Sequence, residues 1–382
     1  MRPTWAEVSI SALRHNFSTI QQYVAPNATV CAVVKGDAYG HGAVPCAQAL
    51  EADGATWFAV SSVDEGVQLR QGGIRGRILL LSGFWRGDEE CIIANDLTPA
   101  VWEWWQLELL EDAAARMKRP VSEGVPVHLK VNTGMNRLGI DVSALPAFIK
   151  SIEGAEHVVV EGVFSHLASA EILDAPSVDC QLAHFEEAIA IVRSNGFSPV
   201  YLHVANSAAI VTHTSAWKNM VRPGISLYGY YLPFTSAVSG TPDASLDLPV
   251  KPVLSWKTRI LTLRQVGARQ PLGYNGAYVT HGPATIAALP VGYADGLSRH
   301  LSSRGRVIVR DDYAAIVGNV SMDLTLIDVT GIPGVGIGDE VTLIGSTDRC
   351  SITAWEHAHH CGTIPYEVLC NISKRVQRKY VE

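Results

Sequence analysis

A lysine that closes an apolar, β-rich run is partly desolvated, which lowers its pKa and frees its amine to attack a carbonyl. Lys35 stands in that position, at the end of VCAVVK (Val30 to Lys35). Four further runs bring polar side chains to their ends. VHLKVN carries Lys130, with Arg137 in the loop that follows; VVEGVFSH ends in His166; VYLHVAN leads into Asn206 and Ser207; NMVRPG sets Arg222 ahead of Gly224 and Ile225. The segments Asn206-Ser207 and Pro223-Gly224-Ile225-Ser226 have the chemistry of an anion cradle, because glycine lets backbone approach an anion closely. An amine for an aldehyde beside a phosphate cradle is the pattern expected for pyridoxal phosphate. Taken singly, the residues have plainer readings: a lysine snorkelling from a strand end, and NSA and PG as ordinary turns. Their meaning depends on whether one fold brings them to one face.

That fold is suggested by eight short β-rich runs spaced fairly evenly through the first 230 or so residues. They start at Val30, Trp57, Arg77, Leu97, Val127, Val159, Val200 and Asn219. Amphipathic segments such as Ala43 to Ala52 and Gln181 to Arg193 lie between them, with apolar residues at helical spacing. Alternating units of this kind predict an α/β protein whose first part is a (β/α)8 TIM barrel. In such barrels the C-terminal strand ends carry the active site, and the loops after strands seven and eight commonly bind phosphate. From Thr235 the sequence turns into TSAVSGTPDASLDLP, a linker composition. Beyond it come β-branched runs punctuated by glycine, with little helix before Ile352. The expected division is therefore 1–238 as the barrel domain and 239–382 as a mostly β C-terminal domain.

Composition narrows the class of function. With 382 residues, 47% hydrophobic and 18% charged, the chain has ample material for two cores and no low-complexity segment. A net charge of -7 without a basic run argues against nucleic acid as a partner. No apolar run approaches the ~20 residues of a membrane span, and MRPTWAEVSISALRHNF lacks a signal-peptide core. Seven scattered cysteines without a CxxC pair read as thiols in a reducing, cytoplasmic setting. In EHAHHC, His357 and Cys361 share a helical face, but no second ligand pair lies nearby, so no metal is expected.

The motifs themselves point further. VVKGDAYGHG (Val33 to Gly42) resembles the cofactor-lysine signature of alanine racemases. LKVNTGMNRLG, HVANSAA, VRPGISLYG, LGYNGAY, VGYADG, GNVSMD and IPYEV are similar to further motifs of that family, in its order and across both domains. The resemblance implies an isomerase that interconverts L-alanine and D-alanine on pyridoxal 5'-phosphate, supplies D-alanine for peptidoglycan, and works as a homodimer with shared active sites.

It also implies roles. Lys35 would hold the cofactor as a Schiff base and act as one of two bases, and Tyr274 from the neighbouring subunit would be the other. Tyr39, Asn206, Ser207, the backbone of Gly224 and Ile225, and Tyr366 would surround the phosphate. Arg137 would bond the phenolic oxygen, Arg222 would face the pyridine nitrogen, and His166 would lie beside it. Substrate would meet Arg137, Met322 and Tyr293 in a small pocket, and Lys130 matches a position that some members carbamylate. Asn132 and Ser321 depart from the pattern, since many members carry Asp and Cys there. The alternatives are a racemase that also takes serine or other amino acids, a decarboxylase of the same two-domain class, and a non-catalytic pyridoxal phosphate carrier. Arg222 speaks against the decarboxylase, which places a carboxylate at the ring nitrogen, and the second domain speaks against the carrier.

Overall fold

The computed structural model describes residues 2–237 and 248–382. It divides into two compact units. One contains Leu13–Ala38 and Ala43–Lys251; the other contains the N-terminal stretch through Ala12, Tyr39–Gly42 and Pro252–Glu382. The boundary expected at 238/239 and most of the linker stretch fall outside the described residues.

In the first unit the eight runs become eight strands: Thr29–Val33, Trp57–Val60, Arg77–Leu80, Leu97–Val101, Val125–Asn132, Val158–Phe164, Tyr201–His203 and Met220–Val221. Each of the first seven pairs in parallel with its sequence neighbour, and the eighth pairs in parallel with the first. Between strands seven and eight the seam is bridged by Arg222 N–H to Ala205 O at 3.0 Å and Asn219 N–H to Leu202 O at 3.3 Å. The result is a nearly closed barrel. Strands two and four are buried along their whole lengths, the mark of parallel strands covered on both faces. Helices Val63–Gln71 and Pro176–Ser194 lie between strands, the first opened by a Ser62–Glu65 capping box. The second starts five residues before the expected Gln181, because Pro176 with its preset φ initiates it.

The second unit holds a long, mostly antiparallel sheet, with strand order Thr262–Val266, Ala284–Leu289, Thr325–Asp328, Asp312–Ile316, Arg306–Val309, Glu340–Ser346, Leu254–Arg259, Thr4–Ser9 and Gln377–Val381. Its α-helices come late, at Ala354–Cys361 and Pro365–Cys370. The chain's first strand belongs here and not to the barrel. Thr4–Ser9 pairs antiparallel with Leu254–Arg259 and parallel with Gln377–Val381, so it fills a place between two C-terminal strands.

One buried imidazole in this unit makes stability depend on pH. Burial pushes His357 down to about 4 from the usual 6.5, against weaker opposing effects of Glu356 and the Leu343 backbone. The folded state then refuses a proton that the unfolded chain accepts. Its contribution is complete above pH 6.5 and is lost as pH falls toward 4, amounting to about 3 kcal/mol. Denaturant midpoints measured from pH 7 to 4 should fall less steeply in His357→Leu than in the native chain.

Candidate active site

Lys35 leaves a strand that is bonded on both sides: Val33 N–H reaches Pro223 O at 3.0 Å and Val34 N–H reaches Ala59 O at 2.9 Å. The six residues Lys35–Gly40 form a helical turn. It is left-handed. Gly36, Asp37, Ala38, Tyr39 and Gly40 all have φ between +53° and +83°. Left-handed backbone costs about 1–2 kcal/mol for each residue with a Cβ, so the turn must be held. Glu65 does part of this, accepting from Gly36 N–H at 2.6 Å and Ser61 N–H at 2.7 Å. Asp37 accepts from Ala43 N–H at 2.8 Å. Strain of this kind clusters at functional sites, and here it begins at the candidate cofactor lysine. The sequence signal was present in Gly36, Gly40 and Gly42 around an Asp.

Around the ends of strands five, six and eight the structure gathers cations. Lys130, Arg137 and His166 line one pocket with Asn132, Met135 and Ser165. Lys130 is buried, donates to Leu81 O at 3.0 Å and lies 5.1 Å from the Phe164 ring. Burial, and then the charges of Arg222, Arg137 and Lys35, push its ammonium down to about 7. His166 is held well below the usual imidazole range by burial and then by Arg222, Arg137, Lys130 and Lys35. Among the described residues, every charged group acting on these two side chains is a cation. Such a site suits an anionic ligand that draws electrons.

Arg222 is almost fully buried. Its Nη2 donates to Ser165 O at 2.8 Å and Val204 O at 3.1 Å and lies 3.4 Å from His166 Nδ1, while Nη1 donates to His203 Nδ1 at 2.7 Å. Burial lowers its pKa only to about 10, so it stays charged near neutrality. His203, and His128 behind it at 2.8 Å, were not expected in the site. Their only signal was a polar side chain inside an apolar run.

The expected anion cradle is assembled around Ser207. Its Oγ accepts from Gly224 N–H at 2.9 Å, Ser226 N–H at 3.3 Å and Ser226 Oγ–H at 3.0 Å. Three donors on a hydroxyl with two lone pairs are more than it can use well, and they converge where an anion's oxygen would take them. Asn206 caps the helix Ser207–Thr212 through Ala209 N–H, and Ile225 opens the 3₁₀ turn after Gly224. Lys35, the cations and this cradle all belong to the barrel unit.

The remaining candidates belong to the other unit. Tyr39 and Tyr366 face each other with ring centroids 5.9 Å apart. Met322 and Tyr293 are carried on two crossing segments, joined by Tyr293 N–H to Ser321 O at 3.0 Å and Ala294 N–H to Met322 O at 3.1 Å. Gly292 permits the crossing, because a Cβ there would stand 2.2 Å from Ser321 O. Asn319, in the same loop, donates to Tyr274 O at 3.3 Å. Tyr274, Tyr293 and Met322 are 72%, 44% and 53% exposed, unusual for such side chains gathered in one region.

The family model "Alanine racemase, N-terminal domain" matches residues 8–232, and "Alanine racemase, C-terminal domain" matches residues 253–380. The chain belongs to the alanine racemase family. An alanine racemase of Citrifermentans bemidjiense is 41% identical over 385 residues, spanning 100% of this chain and 99% of that protein. Among solved structures, alanine racemase from Bacillus anthracis with bound L-Ala-P is 34% identical, with a TM-score of 0.89 and coverage of 100% and 96%. Alanine racemase from Bartonella henselae with covalently bound pyridoxal phosphate is 30% identical, with a TM-score of 0.86 and full coverage of both chains.

Within the family, the two departures have local structural work. Asn132 bonds Asn136 at 2.9 Å and Asp141 at 2.7 Å through its amide nitrogen, and its oxygen accepts from Gly134 and Asn136 N–H. It therefore shapes the loop that presents Arg137. Ser321 Oγ bonds Leu324 O at 2.7 Å and accepts Leu324 N–H at 3.1 Å, closing the turn that carries Met322.

Proposed function

We propose that this chain racemises alanine with pyridoxal 5'-phosphate held by Lys35. The observation that carries the proposal is the joining, in one barrel, of a strained lysine turn, a field of cations without a carboxylate, and a three-donor cradle at Ser207. Those features fit an aldehyde-bearing aromatic phosphate. When bound, that group supplies an electron-withdrawing ring conjugated to the substrate α-carbon, which acidifies the α-proton.

The chain's own residues do the rest. Gly224, Ile225, Ser207, Asn206, Tyr39 and Tyr366 bind and orient the phosphate. Arg137 would meet the phenolic oxygen and the substrate carboxylate, and Met322 and Tyr293 would lie on the substrate's side. The Lys35 amine takes or returns the α-proton on one face, and the Tyr274 hydroxyl serves the other. Two groups are needed because a single base tends to return the proton to the side it came from. Tyr274 acts from a second copy of the chain, a reading supported by the exposure of Tyr274, Tyr293 and Met322. Lys130, whose pKa of about 7 leaves much of its amine uncharged near neutrality, would add carbon dioxide with loss of a proton to the solvent, giving a carbamate whose negative charge would brace Arg137.

Arg222 decides which reaction follows. Its guanidinium stays charged and has no acceptor, so it meets the ring nitrogen only as a donor and leaves it unprotonated. By withholding a proton from that nitrogen, Arg222 would restrain transamination and favour proton exchange. Arg222→Glu should raise the conversion of cofactor to its amine form per racemisation by about tenfold or more, a gap of roughly 1.4 kcal/mol. Following both products with alanine present measures it, and an unchanged ratio would refute this role.

The enzyme acts in the cytoplasm and supplies D-alanine for peptidoglycan. Support comes from membership of the alanine racemase family. The direct test of function is a coupled assay for D-alanine formed from L-alanine by the purified protein loaded with pyridoxal phosphate. No D-alanine above background would dismiss the proposal.

A further inference from the structure

A line of polar side chains runs through the barrel core, from Arg222 to the opposite end of the strands, and the proposed chemistry does not use it. Arg222 Nη1 donates to His203 Nδ1 at 2.7 Å. His203 Nε2 lies 2.8 Å from His128 Nδ1, and His128 Nε2 faces Glu161 Oε2 at 3.6 Å. Glu161 is held in turn by Arg77 Nη2 at 2.6 Å, whose guanidinium lies 4.7 Å from the Trp57 ring centre.

The direction of each bond follows from the first. Arginine has no acceptor, so His203 Nδ1 must carry a lone pair and its proton sits on Nε2. That proton is donated to His128 Nδ1, which places the proton of His128 on Nε2, toward Glu161. The line therefore works one way only, with both imidazoles neutral. A proton added to either would set two donors face to face. Burial keeps both rings neutral: His128 is pushed down, and His203 further.

Two backbone features make room for the line. Strands five and seven are not neighbours, and Gly162 on the strand between them pairs with both His128 and Tyr201. A Cβ at Gly162 would stand 2.6 Å from His128 Nδ1 and Cε1. The register of strands five and six also shifts between Val127 and His128, a bulge that re-aims the imidazole. His203 is set by stacking on Phe164 at 4.9 Å and 8°.

We propose that His128 and His203 are positioning residues, a one-way donor line with the Glu161 carboxylate facing its far end, that fixes Arg222 as a charged donor aimed at the ring nitrogen of the cofactor. The proposal rests on the assignment of Arg222 to that nitrogen. With Nη1 and Nη2 committed to His203, Ser165 and Val204, the plane of the guanidinium is set, and Nε has no hydrogen-bond partner among the described residues. A guanidinium freed from the line would tilt away, and the ring nitrogen would gain water, and with it a proton.

The test has two arms. NMR of the holoenzyme with isotope-labelled histidine nitrogens should show His203 and His128 neutral and protonated on Nε2 at pH 7. A proton on His203 Nδ1, or a doubly protonated His128, would overturn the proposal without any variant. In the second arm, the ratio of cofactor amination to racemisation is measured for His203→Leu, His203→Asn and Gly162→Ala. His203→Leu should raise the ratio by about tenfold, the scale of one hydrogen bond to a charged group. His203→Asn, whose amide oxygen accepts while its nitrogen donates, should restore it to within about threefold of native. Gly162→Ala keeps every group of the line but displaces His128, and should move the ratio in the same direction as His203→Leu. A merely structural role would lower thermal stability in these variants and leave the ratio alone. An unchanged ratio in His203→Leu with a changed one in Arg222→Glu would overturn the positioning role and spare the Arg222 assignment. If Arg222→Glu leaves the ratio unchanged too, that assignment fails and the proposal falls with it.

Discussion

Lys35→Ala is expected to emerge without the yellow absorbance of covalently linked cofactor, and to lose racemisation by about 10⁴-fold or more, since both a nucleophile and a base disappear. The effect is large because nothing else in the barrel can substitute. Lys130 is the other amine in the cation field, but it is buried and committed to Leu81 O, facing Trp102 and Phe164 rings. Its lowered pKa makes it reactive without placing it on the left-handed turn. Lys130→Ala should therefore keep the linked cofactor's absorbance, so the two variants together separate a reactive lysine from the cofactor lysine. Linked cofactor in Lys35→Ala would remove the basis of the proposed function.

Tyr274→Phe is expected to be the second large loss, about 10²–10⁴-fold, the usual range for removing a positioned acid or base. Its signature is asymmetry. Exchange of the α-proton with solvent should collapse from one enantiomer of alanine and survive from the other, because Lys35 still serves its own face. Deuterium incorporation into unreacted L- and D-alanine measures the two directions separately, and equal losses would contradict the two-base assignment. The fold of the variant should be undisturbed. Tyr274 sits exposed on a 3₁₀ turn after Gly273, and the bond from Asn319 goes to its backbone oxygen and not to its ring.

Much of the fold was legible because period and spacing report local geometry directly. Eight apolar runs with intervening amphipathic stretches had one economical arrangement, and residues at their ends, Lys35, His166, Ser207 and Arg222, had to share a rim. What was not legible depended on partners distant in sequence. Thr4–Ser9 was given no element by the sequence, and its place in the C-terminal sheet is decided by Leu254–Arg259 and Gln377–Val381, more than 240 residues away. The handedness of Lys35–Gly40 had a partial signal in its glycines and Asp37, but Ala38 and Tyr39 have no left-handed preference, and the bonds that Glu65 and Asp37 accept from Gly36 and Ala43 N–H hold them there. His128 and His203 look like ordinary residues of apolar runs, and their line forms only because Gly162 leaves a gap between two strands that are not neighbours. In the site, the motifs named Arg222 while the structure explains how a buried charge is held.

The two variants that should each be inactive provide the most direct test when combined. If a site is built from Lys35 of one copy and Tyr274 of another, then mixing Lys35→Ala with Tyr274→Phe under conditions that exchange subunits creates dimers with one intact site. Half of the dimers would be mixed and each would hold one working site of two, so racemisation should return to about a quarter of the native rate. D-alanine formation from L-alanine, measured before and after exchange, gives the answer. Recovery toward a quarter is the predicted result, and a mixture as inactive as its two components, with mixed dimers shown to be present, would contradict the shared two-base site.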